Sequence, residues 1–419
     1  MSTNSFYNVR EALSHRVDRI LVSIFTLVFV GLVFAFNFSL SHHEHFAYLS
    51  QSFLRGQLSF TTPINWLDTS TVNGQHYWAL GPFPAILLLP LSAAGNAVGI
   101  FFTQGYLQFF LVLSVFAVAY KLARVFDYSQ TAALYLAFAF TACSVFLDIA
   151  LIPASWYFAQ VVTVLLLFLA LYEYFATQRW WLIGLYLAAV FMTRLTAAVG
   201  VIFFMLMIIG ADNPRQLKLR SLLQLLLPFV PALALLLTYN ELRFGHPFET
   251  GYTMQQLVAP LARARAYGMF SLRHIPGNLY YLLLSHPLPV FRDSVSHVLR
   301  QPYIVVDPWG TSLFITSPYY LYLFGGRYRT WLAKSLWVTV VSVALPILMY
   351  YGIGYIQVGY RYALDFLPFL FILLLLVLQS KDGKLPVRFK ILVVTGFLFN
   401  LYLILTLRLA GFIALQHRL

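Results

Sequence analysis

Charge is scarce in this 419-residue chain. Only 10% of its residues are Asp, Glu, Lys or Arg, 60% are hydrophobic, and the mean hydropathy is +0.77. A soluble globular surface needs roughly a quarter of charged residues. A soluble enzyme, a disordered tail and a nucleic-acid binder are therefore excluded, although the net charge is +13 and the pI about 9.7. Cysteine is nearly missing as well. Cys143 stands alone in an apolar run, which excludes an intrachain disulfide framework and a cysteine-based metal site. The second residue is Ser, so the N-myristoylation pattern is lacking. There is no G-x-x-x-x-G-K-[ST] phosphate loop, no H-E-x-x-H pattern and no G-x-S-x-G elbow. ATP-driven transport and membrane-anchored hydrolysis of those types lose support. No internal repeat is visible, which weakens a transporter built on inverted repeats.

What is present is apolar sequence in spanning lengths, interrupted by a few polar stretches. A spanning helix needs about 20 mostly apolar residues, with Lys and Arg gathered on the cytoplasmic side. Residues 1–19 carry Arg10, Arg16 and Arg19 ahead of an apolar stretch, the pattern of a signal anchor with a cytoplasmic N-terminus. Crossings are expected near 20–40, 103–120, 130–149, 156–175, 179–193, 196–210, 220–238, 311–325, 335–353, 364–379 and 389–409. The expectation is an all-α polytopic bundle of about eleven transmembrane helices forming one domain over 1–419. All six lysines, Lys121, Lys218, Lys334, Lys381, Lys384 and Lys390, then fall in cytoplasmic turns. Residues 82–102 break this alternation if they cross, and contain Pro82, Pro84 and Pro90. They are expected to form a re-entrant or interfacial helix.

Two extracytoplasmic segments are large, 41–102 and 240–310. The first opens with SHHEHFAYLSQSFLRGQLSF, where His42, His43, Glu44 and His45 cluster. Glu44 can serve as a general base, the cluster can bind a metal, or these residues only mark the interface. Further on, Asp68 precedes Asn73-Gly74, a strong turn signal. Asp68 is a second candidate acid or a turn cap. In the second segment Arg243 stands at headgroup depth, suited either to bidentate phosphate binding or to ordinary snorkelling. Arg361 and Asp365 in GYRYALDFLPFLF are four apart, so on an α-helix they share a face and can pair. Arg194, flanked by apolar helix, raises the same question as any intramembrane ion.

The acid after the first helix resembles the first external loop of GT-C type membrane glycosyltransferases. D-x-x-x-x-N-G-x-x-Y followed by GPFPAILLLP, then YNELRFGHPFETGY, then GYRYALDFLPFL, resemble bacterial glycosyltransferase family 39-like proteins over nearly the whole chain. The resemblance implies inverting transfer of a sugar from a polyprenyl-phosphate donor, on the extracytoplasmic face of the bacterial cytoplasmic membrane. The acceptor would be a glycan, a lipid or a protein. It implies an acidic base, Glu44 or Asp68, and no metal or other cofactor. It further implies that Arg361, Arg243 and Arg194 hold the donor phosphate, with His45, Tyr77, Tyr252, Tyr362 and Asp365 lining the pocket. The competing readings are a transporter or flippase for a lipid-linked or small anionic solute, and a non-catalytic scaffold for envelope assembly. Acids gathered in external loops favour the enzyme over the transporter.

Overall fold

The computed structural model describes residues 3–39, 43–61 and 68–416, with side chains described over 16–39, 43–61 and 68–407. Helix dominates because apolar runs in a bilayer must satisfy their own backbone hydrogen bonds. In chain order the helices are α1 (Thr3–Ser39), α2 (His45–Leu54), α3 (Phe83–Ala97), α4 (Gln104–Val125), α5 (Gln130–Ala142) and α6 (Phe146–Leu151). They continue with α7 (Ser155–Ala176), α8 (Trp180–Phe191), α9 (Leu195–Ala198), α10 (Val201–Gly210), α11 (Arg215–Leu226) and α12 (Phe229–Phe244). The last six are α13 (Ala259–Arg265), α14 (Ile275–Leu283), α15 (Leu313–Thr316), α16 (Trp331–Met349), α17 (Leu367–Leu378) and α18 (Val387–Gln416).

Six helical stretches among the described residues are long and apolar enough to span a membrane: Arg16–Ser39, Gln104–Val125, Ser155–Ala176, Arg215–Phe244, Trp331–Met349 and Val387–Leu407. The chain is thus an integral membrane protein; among the described residues six stretches, rather than the expected eleven or so, reach that length. The stretch at 311–325 shows why. It breaks into the single turn α15 and a 3₁₀ segment, Pro318–Gly325, because Pro318 cannot continue a helix begun upstream. Around Arg194 the apolar sequence forms the short helices α8, α9 and α10 rather than two full crossings. Residues 82–102 contain α3, 15 residues long. That is about 22 Å at 1.5 Å per residue, too short to cross a hydrocarbon core of about 30 Å.

α7 is the hub. Of its most apolar window 83% is buried inside the protein, against 11% for the Arg215–Phe244 stretch, which faces outward. Gln160 and Thr163 of α7 are fully buried beside Phe158, Val162 and Phe168. At the lysine-rich side, the Lys390 ammonium of α18 pairs with Asp18 of α1 and joins the first and last helices.

Two small hairpins interrupt the helical architecture. β1 (Thr69–Val72) and β2 (Gln75–Trp78) pair antiparallel, Thr69 opposite Trp78 and Val72 opposite Gln75. Asn73 and Gly74 between them both have positive φ, 50° and 74°, the backbone that a two-residue hairpin turn demands. β3 (Leu288–Phe291) and β4 (Leu299–Val305) form the second ribbon.

Candidate active site

Asp68 is positioned by the interlocking of the two external segments. Its N–H donates to the Gln256 carbonyl at 2.8 Å, and the Gln256 N–H donates to the Thr69 carbonyl at 2.9 Å. Gln255 Nε2 donates to the Asp68 carbonyl at 3.2 Å, and Ser70 Oγ donates to the Gly251 carbonyl at 2.6 Å. These bonds hold Asp68 at φ +59°, a left-handed backbone that Asp tolerates better than most residues. Gly251, at φ +86°, admits no side chain. A Cβ there would lie 2.6 Å from the Phe244 ring and 2.9 Å from Ser70 Oγ.

With its backbone pinned, Asp68 turns its carboxylate towards Arg361, Trp156 and Arg265. Burial pushes its pKa up to about 6, while the charge of Arg361, the Trp156 indole N–H and the charge of Arg265 pull it down. The Trp156 N–H lies beside the carboxylate without reaching hydrogen-bond geometry. Asp68 Oδ1, Trp156 Nε1 and Arg361 Nε are all buried and make no hydrogen bond. Such groups carry a desolvation cost of about 1–3 kcal/mol each.

Arg361 opens a 3₁₀ turn, Arg361–Asp365, ahead of α17. Gln160 of α7 grips it at two points. Gln160 Nε2 donates to the Arg361 carbonyl at 3.0 Å, and Arg361 Nη1 donates to Gln160 Oε1 at 3.4 Å. Its guanidinium carbon lies 4.7 Å from the centre of the Tyr362 ring and 5.6 Å from that of Tyr157. Asp148, in α6, secures the same loop by accepting from the Val358 N–H at 3.0 Å and from the Tyr157 hydroxyl at 3.4 Å.

The expected pairing of Arg361 with Asp365 does not form. A 3₁₀ turn has 3.0 residues per turn, so residues four apart point about 120° away from each other. Asp365 instead pairs with Arg194, whose Nε and Nη2 donate to the two carboxylate oxygens at 2.8 and 3.0 Å, and Thr196 Oγ1 adds a bond of 2.5 Å. The guanidinium of Arg194 is thus neutralised, lying 5.5 Å from the Tyr362 ring. Asp365→Asn should leave a buried guanidinium uncompensated and cost about 3–5 kcal/mol. Thermal unfolding of the purified protein measures it, and an unchanged midpoint would discount the pair.

Tyr252 completes the group. It lies within electrostatic reach of both Arg194 and Asp68, and burial raises its hydroxyl pKa well above the ordinary tyrosine value. Arg265 braces it, donating to the Tyr252 carbonyl at 2.7 Å and to the Gln255 carbonyl at 3.3 Å. The structure therefore gathers Asp68, Arg361, Tyr362 and Tyr252 at one place, with the Arg194–Asp365 pair as its wall.

Four other candidates are engaged elsewhere. Glu44 is buried, and its Oε2 accepts from the Gln104 N–H at 2.9 Å, capping the start of α4. His45 stacks on Trp78, with ring centres 4.1 Å apart, and its Nδ1 lies 3.1 Å from Ser155 Oγ. Tyr77 donates to Gln75 Oε1 at 2.7 Å and meets Phe244 edge-on. Arg243, expected to face phosphate, is bonded within the protein. Its Nε, Nη1 and Nη2 each donate once, to the Tyr239 carbonyl, the Trp78 carbonyl and Asn240 Oδ1 at 3.2, 2.7 and 2.8 Å, and it is 5% exposed. It fastens β2 to α12. His42 lies outside the described residues.

Glu44 carries its own test. Burial pushes its pKa up to about 7, with the Gln104 amide pulling it down. A folded-state pKa raised above the unfolded value favours the protonated form, so the associated stability is complete at acidic pH and is lost as pH rises through about 7. Glu44→Gln keeps an acceptor for the Gln104 amide and removes that loss. The variant should melt no lower than wild type at pH 6 and higher at pH 9. A lower midpoint at pH 9 would point to a Glu44 whose ionised form the fold prefers.

Trp156, Tyr157, Gln160, Asp148 and Arg265 were not expected at this site. The signal available was ASWYFAQ at the start of α7, where Tyr157 and Gln160 recur at helical spacing beside Pro153, but in an aromatic-rich chain it reads as interfacial belt.

No protein-family profile and no curated relative matches the chain. Two solved structures are similar to it. One is the apo oligosaccharyltransferase of Archaeoglobus fulgidus, at 15% identity and TM-score 0.41, matching 93% of this chain. The other is the archaeal oligosaccharyltransferase AglB from the same organism, in complex with an inhibitory peptide and a dolichol-phosphate, at 12% identity and TM-score 0.43, matching 92%. The chain spans 55% of the length of each.

Proposed function

We propose that this chain is an inverting GT-C type glycosyltransferase that moves a sugar from a polyprenyl-phosphate donor to an acceptor hydroxyl, on the extracytoplasmic face of a bacterial cytoplasmic membrane. The observation that carries the reading is a partly buried carboxylate, with one oxygen lacking any hydrogen bond, within electrostatic reach of a buried arginine. Both stand among helices long enough to span a bilayer.

Asp68 takes the proton from the acceptor O–H as that oxygen attacks the anomeric carbon. The bond from the anomeric carbon to the phosphate oxygen breaks, and its electron pair leaves with the polyprenyl phosphate. Arg361 faces the charge that develops there, a role served best by a donor already fixed in place. Gln160, Tyr157 and Tyr362 fix it. A single displacement needs one base and no covalent glycosyl-enzyme, so one ionised carboxylate suffices, and attack opposite the leaving group inverts the configuration. Asp68 rather than Glu44 is assigned as the base, because the Glu44 carboxylate caps α4.

The test is direct. The chain, reconstituted in vesicles, is given radiolabelled polyprenyl-phosphate sugars and membrane-extracted acceptors. Polyprenyl phosphate should appear in step with glycosylated product, whose anomeric configuration is opposite to the donor's. Release with retention would remove the single-displacement mechanism. Release of no sugar from any such donor would remove the function.

A further inference from the structure

We propose that the β3–β4 ribbon is a membrane-surface anchor, seated in the headgroup layer of the leaflet on the Arg361 side, with Arg292 and Arg300 engaging lipid phosphates. The inference is independent of the reaction assigned above.

The tip of the ribbon is built to leave bulk water. The Arg292 N–H donates to the Val298 carbonyl at 2.7 Å, closing the loop. Asp293 Oδ1 accepts from the Val295 and Ser296 N–H groups at 2.9 and 2.6 Å, and the Ser296 hydroxyl donates to Asp293 Oδ2. These turn amides need no solvent partner, so their transfer out of water costs little. The side chains point the other way in polarity. Val295 at the apex is 86% exposed, with Val298, Leu299 and Tyr303 exposed beside it. Arg292, His297 and Arg300 lie among them, all exposed. Apolar residues interleaved with guanidinium groups match a boundary between acyl chains and anionic headgroups.

The position of the ribbon identifies what covers this surface. β4 packs along α18, and the Tyr402 hydroxyl donates to the Pro302 carbonyl. Tyr402 is 12 residues beyond Lys390, whose ammonium pairs with Asp18 at the opposite end of the bundle. At 1.5 Å per residue that is about 18 Å, past the midplane of a hydrocarbon core about 30 Å thick. The ribbon is thus attached at the depth of the far leaflet. A two-stranded ribbon has open edges, which hydrocarbon cannot satisfy, so β4 is covered along α18 and the free tip rests among headgroups rather than acyl chains. Past β4 the chain runs into 307–312, where the Thr311 N–H donates to the Val358 carbonyl at 2.8 Å and the Tyr360 N–H to the Thr311 carbonyl at 3.1 Å. The anchor is therefore continuous with the loop that carries Arg361.

The experiment is a depth measurement on the whole protein in vesicles of phosphatidylcholine and phosphatidylglycerol. Cys143 is buried, so Val295→Cys supplies a single labelling site, and Asp382→Cys, exposed on the lysine-rich side, supplies an aqueous reference. A nitrobenzoxadiazole label at 295 should emit to the blue of the label at 382. Lipids brominated near the headgroup should quench it strongly and aqueous iodide weakly. Arg292→Gln with Arg300→Gln should shift its emission back towards the reference. Iodide quenching equal to that at 382 would put the tip in water and overturn the proposal. So would a label reached by neither quencher, or disulfide-linked dimers of the Val295→Cys chain, because protein would then cover the tip.

Discussion

Asp68→Asn should reduce sugar transfer by about 10²–10⁴-fold, the range a positioned base contributes, while leaving donor binding and thermal stability close to wild type. The fold tolerates the change because Asp68 is held through its backbone, not its carboxylate. Asn also accepts the left-handed φ of +59°. Its amide cannot take a proton at neutral pH. Wild-type activity should also fall as the medium is acidified through about pH 6, because burial holds the Asp68 pKa there and only the deprotonated form is a base. Transfer by the Asn variant near the wild-type rate would remove Asp68 from the mechanism.

Arg361→Gln should have the second largest effect, and a distinctive one. Loss of a fixed group that faces developing charge typically lowers kcat by about 10²–10³-fold. Arg361 also depresses the Asp68 pKa, so the acidic limb of the pH–rate profile should move to higher pH in this variant. Arg361→Lys keeps the charge. It should restore the position of that limb while recovering only part of kcat, since a point ammonium does not reproduce the planar contacts with Gln160, Tyr157 and Tyr362. A low kcat with an unmoved acidic limb would mean that Arg361 acts only on structure.

Much of the outline was legible before the structure. Scarce charge and long apolar runs required a membrane protein, and Asn73-Gly74 marked the β1–β2 turn. Arg361, Arg194 and Asp365 were recognisable as costly ions in an apolar chain, and Asp68 as an acid or a turn cap in an external loop. Their wiring was not. The i, i+4 rule joined Arg361 to Asp365, but a short 3₁₀ turn rotates them apart, and the true partner of Asp365 lies 171 residues away. Gly359, next in GYRYALD, hints at this crowding. A Cβ there would sit 2.8 Å from Thr316 Cγ2 and 3.0 Å from Val145 Cγ2, contacts that no local spacing reveals. Glu44 is ambiguous in sequence for a related reason. An acid after the first spanning helix and an acid capping α4 are the same letter in sequence, and only the Gln104 amide tells them apart. The same holds for Arg243, whose position at a helix end suited phosphate until Trp78, Tyr239 and Asn240 were found to use its donors. Crossings are hardest to count where proline and glycine split apolar sequence into turns and short helices.

The bond from Gln255 to the Asp68 carbonyl crosses 187 residues of chain, and this sets a clock on biogenesis. A ribosome delivering the polypeptide to the bilayer releases the acid long before it makes the segment, Gln255 and Gln256, that seats it. Through that interval the nascent protein holds Asp68 without the hydrogen bonds that seat its backbone. The group is complete only later still, once the loop carrying Arg361 has been made and has closed onto Gln160 of α7.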